Sequence, residues 1–352
     1  MDLQSSIDLL RQRVTWPEMR SILKSNQLPT ALGWDKTSEK IKEHLTSDSD
    51  KNLAANVLFQ AYKETLLYGT KVVWLFSLDK DLMAQLFDKL KQISVAANPY
   101  LTKYPEPLPL LALQQQSVHP MLVDSQAYSK RHDLVFCSKR HYSVREEIDV
   151  AKLGSAQQTA FGGFESLIGL RNELRQGFDV LSLHRDSGLI ELRVDLILGV
   201  TWEDNLMFLE QLRAELFKVA RTLLHPLPFE PEKANFFPLL QKLYDDTDGR
   251  VVEIGHDTGG TGGIIREKMR RRSLDVRDED FHKAGSLATN IELFEIAKVW
   301  SLATREGEFE VHVPGSVRLL SELAPNISEV IVKGCISKEH YKEAFSKFTS
   351  HV

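Results

Sequence analysis

The sequence predicts an α+β fold: an N-terminal all-helical module, then a mainly antiparallel sheet domain built from hairpins with packed helices. Three observations carry this expectation. Apolar residues recur at helical spacing through residues 1–95. A proline-dense stretch over 96–120 then disfavours helix and central strand alike, and is expected to be a linker or crossing segment. Across 121–352, short apolar runs alternate with Gly- and Asp-containing turns, the texture of hairpins followed by helices. A chain of 352 residues is long enough for two domains, or for one large domain with an appended module.

Each element follows from local pattern. Leu3, Ile7, Leu10 and Val14 share one helical face. A second helix begins at Thr15, which can cap, with Pro17 suited to the first turn and Met19, Ile22 and Leu23 on one face. Asn26 to Gly33 breaks the pattern, Lys36 to Leu45 resumes it, and Ser49-Asp50 introduces a longer helix through Leu66. The run Lys71–Leu78 fits a strand or a buried helical turn, and Asp79 onward is helical again. After the prolines, Asp133–Ser138 is expected to be a strand. Phe178–Leu183 and Leu189–Val194 flank Asp186-Ser187-Gly188 and form the clearest hairpin. Glu203–Leu224 is an amphipathic helix and Phe236–Tyr244 a shorter one. Val251–Ile254 with Ile264–Met269, and Ile296–Thr304 with Glu308–Val313, make two further hairpins. Ser316–Leu323 is expected to be helical, Glu329–Lys333 a strand and Lys338–Phe348 a closing helix.

Composition narrows the function classes. With 42% hydrophobic and 26% charged residues and a net charge of −5, the chain has ordinary globular composition, which argues against a wholesale nucleic-acid coat but allows a local basic face. No apolar run approaches the length of a membrane helix, so no membrane partner is expected. The segment MDLQSSIDLLRQRV lacks an apolar core and does not read as a secretion signal, and the two cysteines, Cys137 and Cys335, are expected to be reduced thiols. The expectation is an intracellular protein, cytoplasmic or nuclear.

The strongest local departure is GHDTGGTGGIIREKMRRR, Gly255 to Arg272. Gly259, Gly260, Gly262 and Gly263 let the backbone approach another molecule closely, and Arg266, Lys268, Arg270, Arg271 and Arg272 favour an anionic partner. Gly255 and Gly260 have P-loop spacing, but Thr261 stands where the lysine belongs, and Ile265 occupies the third glycine position of a dinucleotide fingerprint. The alternative is a hairpin loop beside a solvated basic strand. If the strand runs on through Arg272, alternation sets Arg266, Lys268, Arg270 and Arg272 on one face over about 20 Å, enough to track several phosphates. Arg270→Glu with Arg272→Glu is then expected to abolish binding with little change in stability, unless the arginines pair with Asp275, Asp278 or Asp280.

An enzyme alternative rests on the first hairpin. Asp179 and Glu191-Leu192-Arg193 resemble the PD-(D/E)xK nuclease layout, in which paired carboxylates hold Mg²⁺ or Mn²⁺. Arg193 replaces the usual lysine, and no proline precedes Asp179. A solvated strand face carrying Glu191, Arg193 and Asp195 explains the same residues without metal. Trp16 to Leu45 is similar to SAP-type DNA-binding motifs, although Glu39 and Glu43 interrupt Lys36, Lys40 and Lys42 as on a solvated helix face. The histidines, including His282, show no metal-ligand spacing, so no metal and no cofactor are expected outside the nuclease alternative. Phe161 and Phe164 are expected in core or hinge packing or, if exposed, in a partner patch.

A small helical module ahead of hairpins and helices also resembles the layout of the centromere protein N group of kinetochore proteins. No motif carries the likeness, and no residue is transferred from it. The leading expectation is therefore a non-catalytic, nucleic-acid-associated binding or adaptor protein, a subunit of a larger assembly. A protein-interaction scaffold acting through the N-terminal helices is the other alternative.

Overall fold

The computed structural model describes residues 1–197, 199–259, 263–302 and 306–350. Four helices open the chain: α1 (Leu3–Arg11), α2 (Trp16–Ser25), α3 (Gly33–His44) and α4 (Asp48–Tyr68). Their starts are chemically marked. Asp2 and Ser47 accept from the first-turn amides of α1 and α4, and the Glu18 carboxylate accepts from the Thr15 amide at α2. Strand β1 (Lys71–Ser77) and α5 (Lys80–Leu90), capped by Asp79, follow. The 96–120 segment carries a 3-10 turn at Pro99–Thr102 and α6 (Leu110–Gln114), and it buries Tyr100, Leu108 and Leu113 in the main core.

Then come β2 (Met121–Ala127), β3 (Arg131–Asp149), α7 (Ser155–Phe161), β4 (Ser166–His184), β5 (Leu189–Asp195) and α8 (Trp202–Leu224). The rest is β6 (Glu232–Lys233), α9 (Leu239–Asp245), β7 (Arg250–Asp257), β8 (Ile264–Lys268), α10 (Asp280–Ala288), β9 (Glu292–Ser301), β10 (Glu308–Val313), β11 (Glu329–Lys333) and α11 (Lys338–Thr349). The predicted α+β class is what the molecule adopts. Its strands form one antiparallel sheet in the order β2-β3-β4-β5-β1-β11-β10-β9-β7-β8, with β6 beside β1.

The segment 1–95 is not all-helical. Strand β1 lies mid-sheet, pairing with β5 along its whole length on one side and with β11 and then β6 on the other. Its valines and aromatics suit a pleated strand, and both edges of its backbone find partners there. Val73 and Leu75 face one core with α1, α2, α4, α9 and α11; Val72, Trp74 and Phe76 face a second core under α5 and α8. Over β7 and β9 a separate small cluster of Val252, Ala297 and Val299 forms among the described residues.

Two expectations were too short or of the wrong type. The strand predicted over Asp133–Ser138 runs on to Asp149 and pairs with β4 from Arg131↔His184 to Asp149↔Ser166. Beyond Arg140 these two strands pair only with each other among the described residues, so the distal half is a two-stranded ribbon with one face exposed and the other, bearing Tyr142, Val144, Ile148 and Leu167, half-buried; Glu146 breaks the apolar alternation of that face. Ser316–Leu323 is not an α-helix but a 3-10 segment at Val317–Ser321.

Candidate nucleic-acid interface

The basic segment begins on edge strand β8, whose partner is β7 in the register Gly255↔Arg266 and Glu253↔Lys268. Alternation turns Ile264, Arg266 and Lys268 to solvent, and Ile265, Glu267 and Met269 inward. The strand ends at Lys268, and after the Met269 amide donates to the Val252 carbonyl the chain bends at Arg270 and Arg271 and turns at Arg272. The expected four-residue row on one strand therefore does not form. Two cations stand on β8 and three on the bend and turn that follow.

Three of the five meet carboxylates on neighbouring strands. Arg266 bonds Glu295 and lies over the Phe294 ring with 5.4 Å to the centroid, and Lys268 bonds Glu253 at 2.6 Å. Arg272 bonds Glu310 at 2.6 Å, beside Lys333 at 2.8 Å. Burial alone would raise the Glu310 carboxyl, but Lys333 and Arg272 hold it below the usual range. Two of the three acids expected to pair with this segment are engaged elsewhere, Asp275 with Arg277 and Asp278 with Lys283, and Asp280 forms no ion pair among the described residues. Arg270 and Arg271 are exposed and meet no carboxylate among the described residues. Arg272 also lines a cleft of about 710 Å³ together with Arg13, Arg175, Lys333 and Asp195. Arg175 forms no ion pair among the described residues; its pKa is lowered first by burial and then by the charge of Arg13.

The glycines have different roles. A side chain at Gly255 would put its Cβ 2.4 Å from the Phe294 ring, so this glycine serves strand packing rather than loop flexibility. Gly259 has φ of +60°, as a turn requires, and the Gly263 carbonyl accepts from the Thr258 amide at 3.2 Å. Gly260 and Gly262 lie outside the described residues, as does Thr304 of the third hairpin.

Asp179 and Glu191 do not converge on a common metal position. Glu191 pairs with Ser182 and Arg193 with Val180, so alternation places Asp179 on the opposite face of the sheet from Glu191 and Arg193. Asp179 bonds Arg140, which stacks 4.2 Å from the Phe208 ring of α8. Glu191 accepts from Tyr341 of α11 and bonds His184 at 3.1 Å, while Arg193 donates to Ser182 and to the Leu67 carbonyl. The expected solvated face is also overturned: Glu191, Arg193 and Asp195 are all buried, because α4 and α11 close over them. Burial would push the Glu191 carboxyl up, but Arg193 and the bonds from His184 and Tyr341 bring it down to about 2. These residues form a structural charge network.

In the Trp16–Leu45 corner, Trp16 and Trp34 meet edge to face at 5.7 Å while Lys36, Lys40 and Lys42 stay exposed beside Glu39 and Glu43. The N-terminal helices place Leu10, Leu23, Ile41 and Leu58 in the main core. Exposed apolar side chains gather instead at the β3–β4 ribbon, where Phe164, Ile168 and Leu170 are 62, 63 and 72% exposed and Phe161 is partly so. Phe161 and Phe164 are thus not core residues.

Sequence spacing concealed one constellation. His256 on β7, Glu267 on β8 and His282 on α10 come together on the core face: Glu267 Oε1 lies 3.0 Å from His256 Nε2 and 2.7 Å from His282 Nδ1. Tyr244 Oη stands 2.8 Å from His282 Nε2. The hairpin register, Ile254↔Glu267 and His256↔Ile265, makes His256 and Glu267 same-face diagonal neighbours. Only knowledge of that register could have revealed them.

No family model matches the chain, and no curated protein matches it. Among the described residues no helix is long and apolar enough to cross a membrane.

Proposed function

We propose that this protein is a nucleic-acid-associated binding or adaptor subunit that contacts phosphate through the β7–β8 loop, the solvent side of β8 and the arginine turn after it. One observation carries the proposal: Arg270 and Arg271 are exposed and, among the described residues, meet no carboxylate, directly beyond a strand that shows Arg266 and Lys268 to solvent. Exposed guanidinium groups that meet no carboxylate among the described residues favour a local site for an anion on a chain of net negative charge. Arg272 extends this surface to the cleft holding Arg175. The bend spreads the cations over a short surface rather than one long row, which suits a few adjacent phosphates.

The pairing of Arg272 with Glu310 changes the choice of variants. Arg270→Glu with Arg271→Glu is expected to weaken binding to a labelled duplex at least tenfold in a gel-shift titration. Its thermal midpoint should stay close to wild type, since exposed charges contribute about 0–1 kcal/mol. Arg272→Glu is expected to destabilise by roughly 1–2 kcal/mol, because it sets a carboxylate against the buried Glu310. Unchanged binding in a folded Arg270/Arg271 variant would place the contact surface elsewhere. The nuclease alternative has no geometric support.

A further inference from the structure

We propose that His256, Glu267 and His282 form a binding site for a divalent transition-metal ion, with zinc the best match, that fastens α10 onto the β7–β8 hairpin. The three side chains come from three elements, and one ligand atom from each lies within 4.8 Å of the others. A tetrahedral ion with bonds of about 2 Å sets its ligand atoms roughly 3.3 Å apart. The 2.7 and 3.0 Å contacts about Glu267 therefore need to open by a few tenths of an ångström, while the two imidazole nitrogens, within 4.8 Å of each other, settle to that spacing by rotation of the rings.

The hydrogen-bond arrangement fits an ion as well as it fits a proton. Without metal, both imidazoles must present N–H to the same carboxylate oxygen, and His282 Nε2 accepts from the Tyr244 hydroxyl. With an ion bound, both nitrogens turn lone pairs inward and His282 Nε2 carries the proton instead. Tyr244 then accepts that N–H, the outer bond that a metal-bound imidazole ordinarily makes. The His256 ring is 4% exposed, and its Nε2 meets Glu267 where the ion would sit.

The donor set selects the ion. Two imidazoles and one carboxylate suit zinc, cobalt or ferrous iron, whereas magnesium and calcium prefer oxygen alone. Three protein ligands leave a fourth position for water or a partner's group, and Glu267, less deeply buried than the two imidazoles, gives access to it. Glu267 stands between Arg266 and Lys268 in sequence but points to the other face of β8, so the ion would secure from inside the strand that carries the basic residues outside. This site does not depend on nucleic-acid binding.

The full-length chain, stripped with EDTA and dialysed, is titrated with Zn²⁺ by calorimetry and loaded in parallel with Co²⁺. One Zn²⁺ per chain is expected, with a raised thermal midpoint and the strong visible bands of four-coordinate cobalt. His282→Ala and Glu267→Gln should abolish saturable binding, and Tyr244→Phe should weaken it about 10- to 100-fold. Failure of wild type to bind Zn²⁺, or only the weak spectrum of hydrated octahedral cobalt, would overturn the proposal without recourse to any variant. Equal binding by folded Glu267→Gln would assign the metal to other histidines and overturn it equally.

Discussion

Replacing Asp195 with alanine is expected to lower the unfolding free energy by about 3–5 kcal/mol, the range for breaking a buried ion pair by removing one partner. Asp195 accepts from both terminal nitrogens of Arg13 at 2.9 Å, from the Lys71 ammonium at 2.5 Å and from the Phe178 amide at 2.7 Å. Burial by itself would raise its carboxyl, yet Arg13 and Lys71 hold it far below the usual range. Without it, Lys71 is left fully buried with, among the described residues, the Leu66 and Phe178 carbonyls as its hydrogen-bond partners. The charge lies where β1 meets β5, so the cost falls on the centre of the sheet. Urea denaturation at neutral pH measures it, and a loss under about 1 kcal/mol would show that the network relaxes around the deletion.

Acid is expected to remove a second large contribution, that of Glu191. Its folded pKa is depressed to about 2 from an ordinary value of 4.5, so its stabilisation is fully present above pH 4.5 and is lost as pH falls toward 2. A shift of that size corresponds to roughly 3 kcal/mol for a fully buried group. Glu191→Gln lowers stability at neutral pH, because Arg193 loses its nearest buried counter-charge on the same strand. It should also flatten the acid limb of stability against pH by that amount. Parallel acid limbs for variant and wild type would mean that Glu191 is not the group titrating.

Much of the fold was legible because periodicity and turn chemistry act locally. Helices α1 to α5 and α8 follow from apolar spacing and caps, and the β4–β5 turn follows from Asp186-Ser187-Gly188. What remained hidden is long-range. The pattern of Lys71–Ser77 cannot say that its neighbours are β5 and β11, and the ribbon beyond Arg140 carries only a broken apolar alternation, Tyr142, Val144 and Ile148 with Glu146 between, to report it. Alternation correctly grouped Glu191, Arg193 and Asp195 on one face, but α4 and α11, distant in sequence, decide that this face is buried. The same holds at the basic segment. Clustered arginines were visible in the chain, whereas Glu295, Glu253 and Glu310 beside three of the cations were not.

The most direct test of the phosphate-contact proposal is the salt dependence of binding by the wild-type chain, read by fluorescence polarisation with labelled duplex and single-stranded DNA and RNA. If Arg266, Lys268, Arg270 and Arg271 meet phosphate, log affinity should fall linearly with log salt, with a slope between about −2 and −4. No binding to any of the probes at low salt, or binding indifferent to salt, would contradict it.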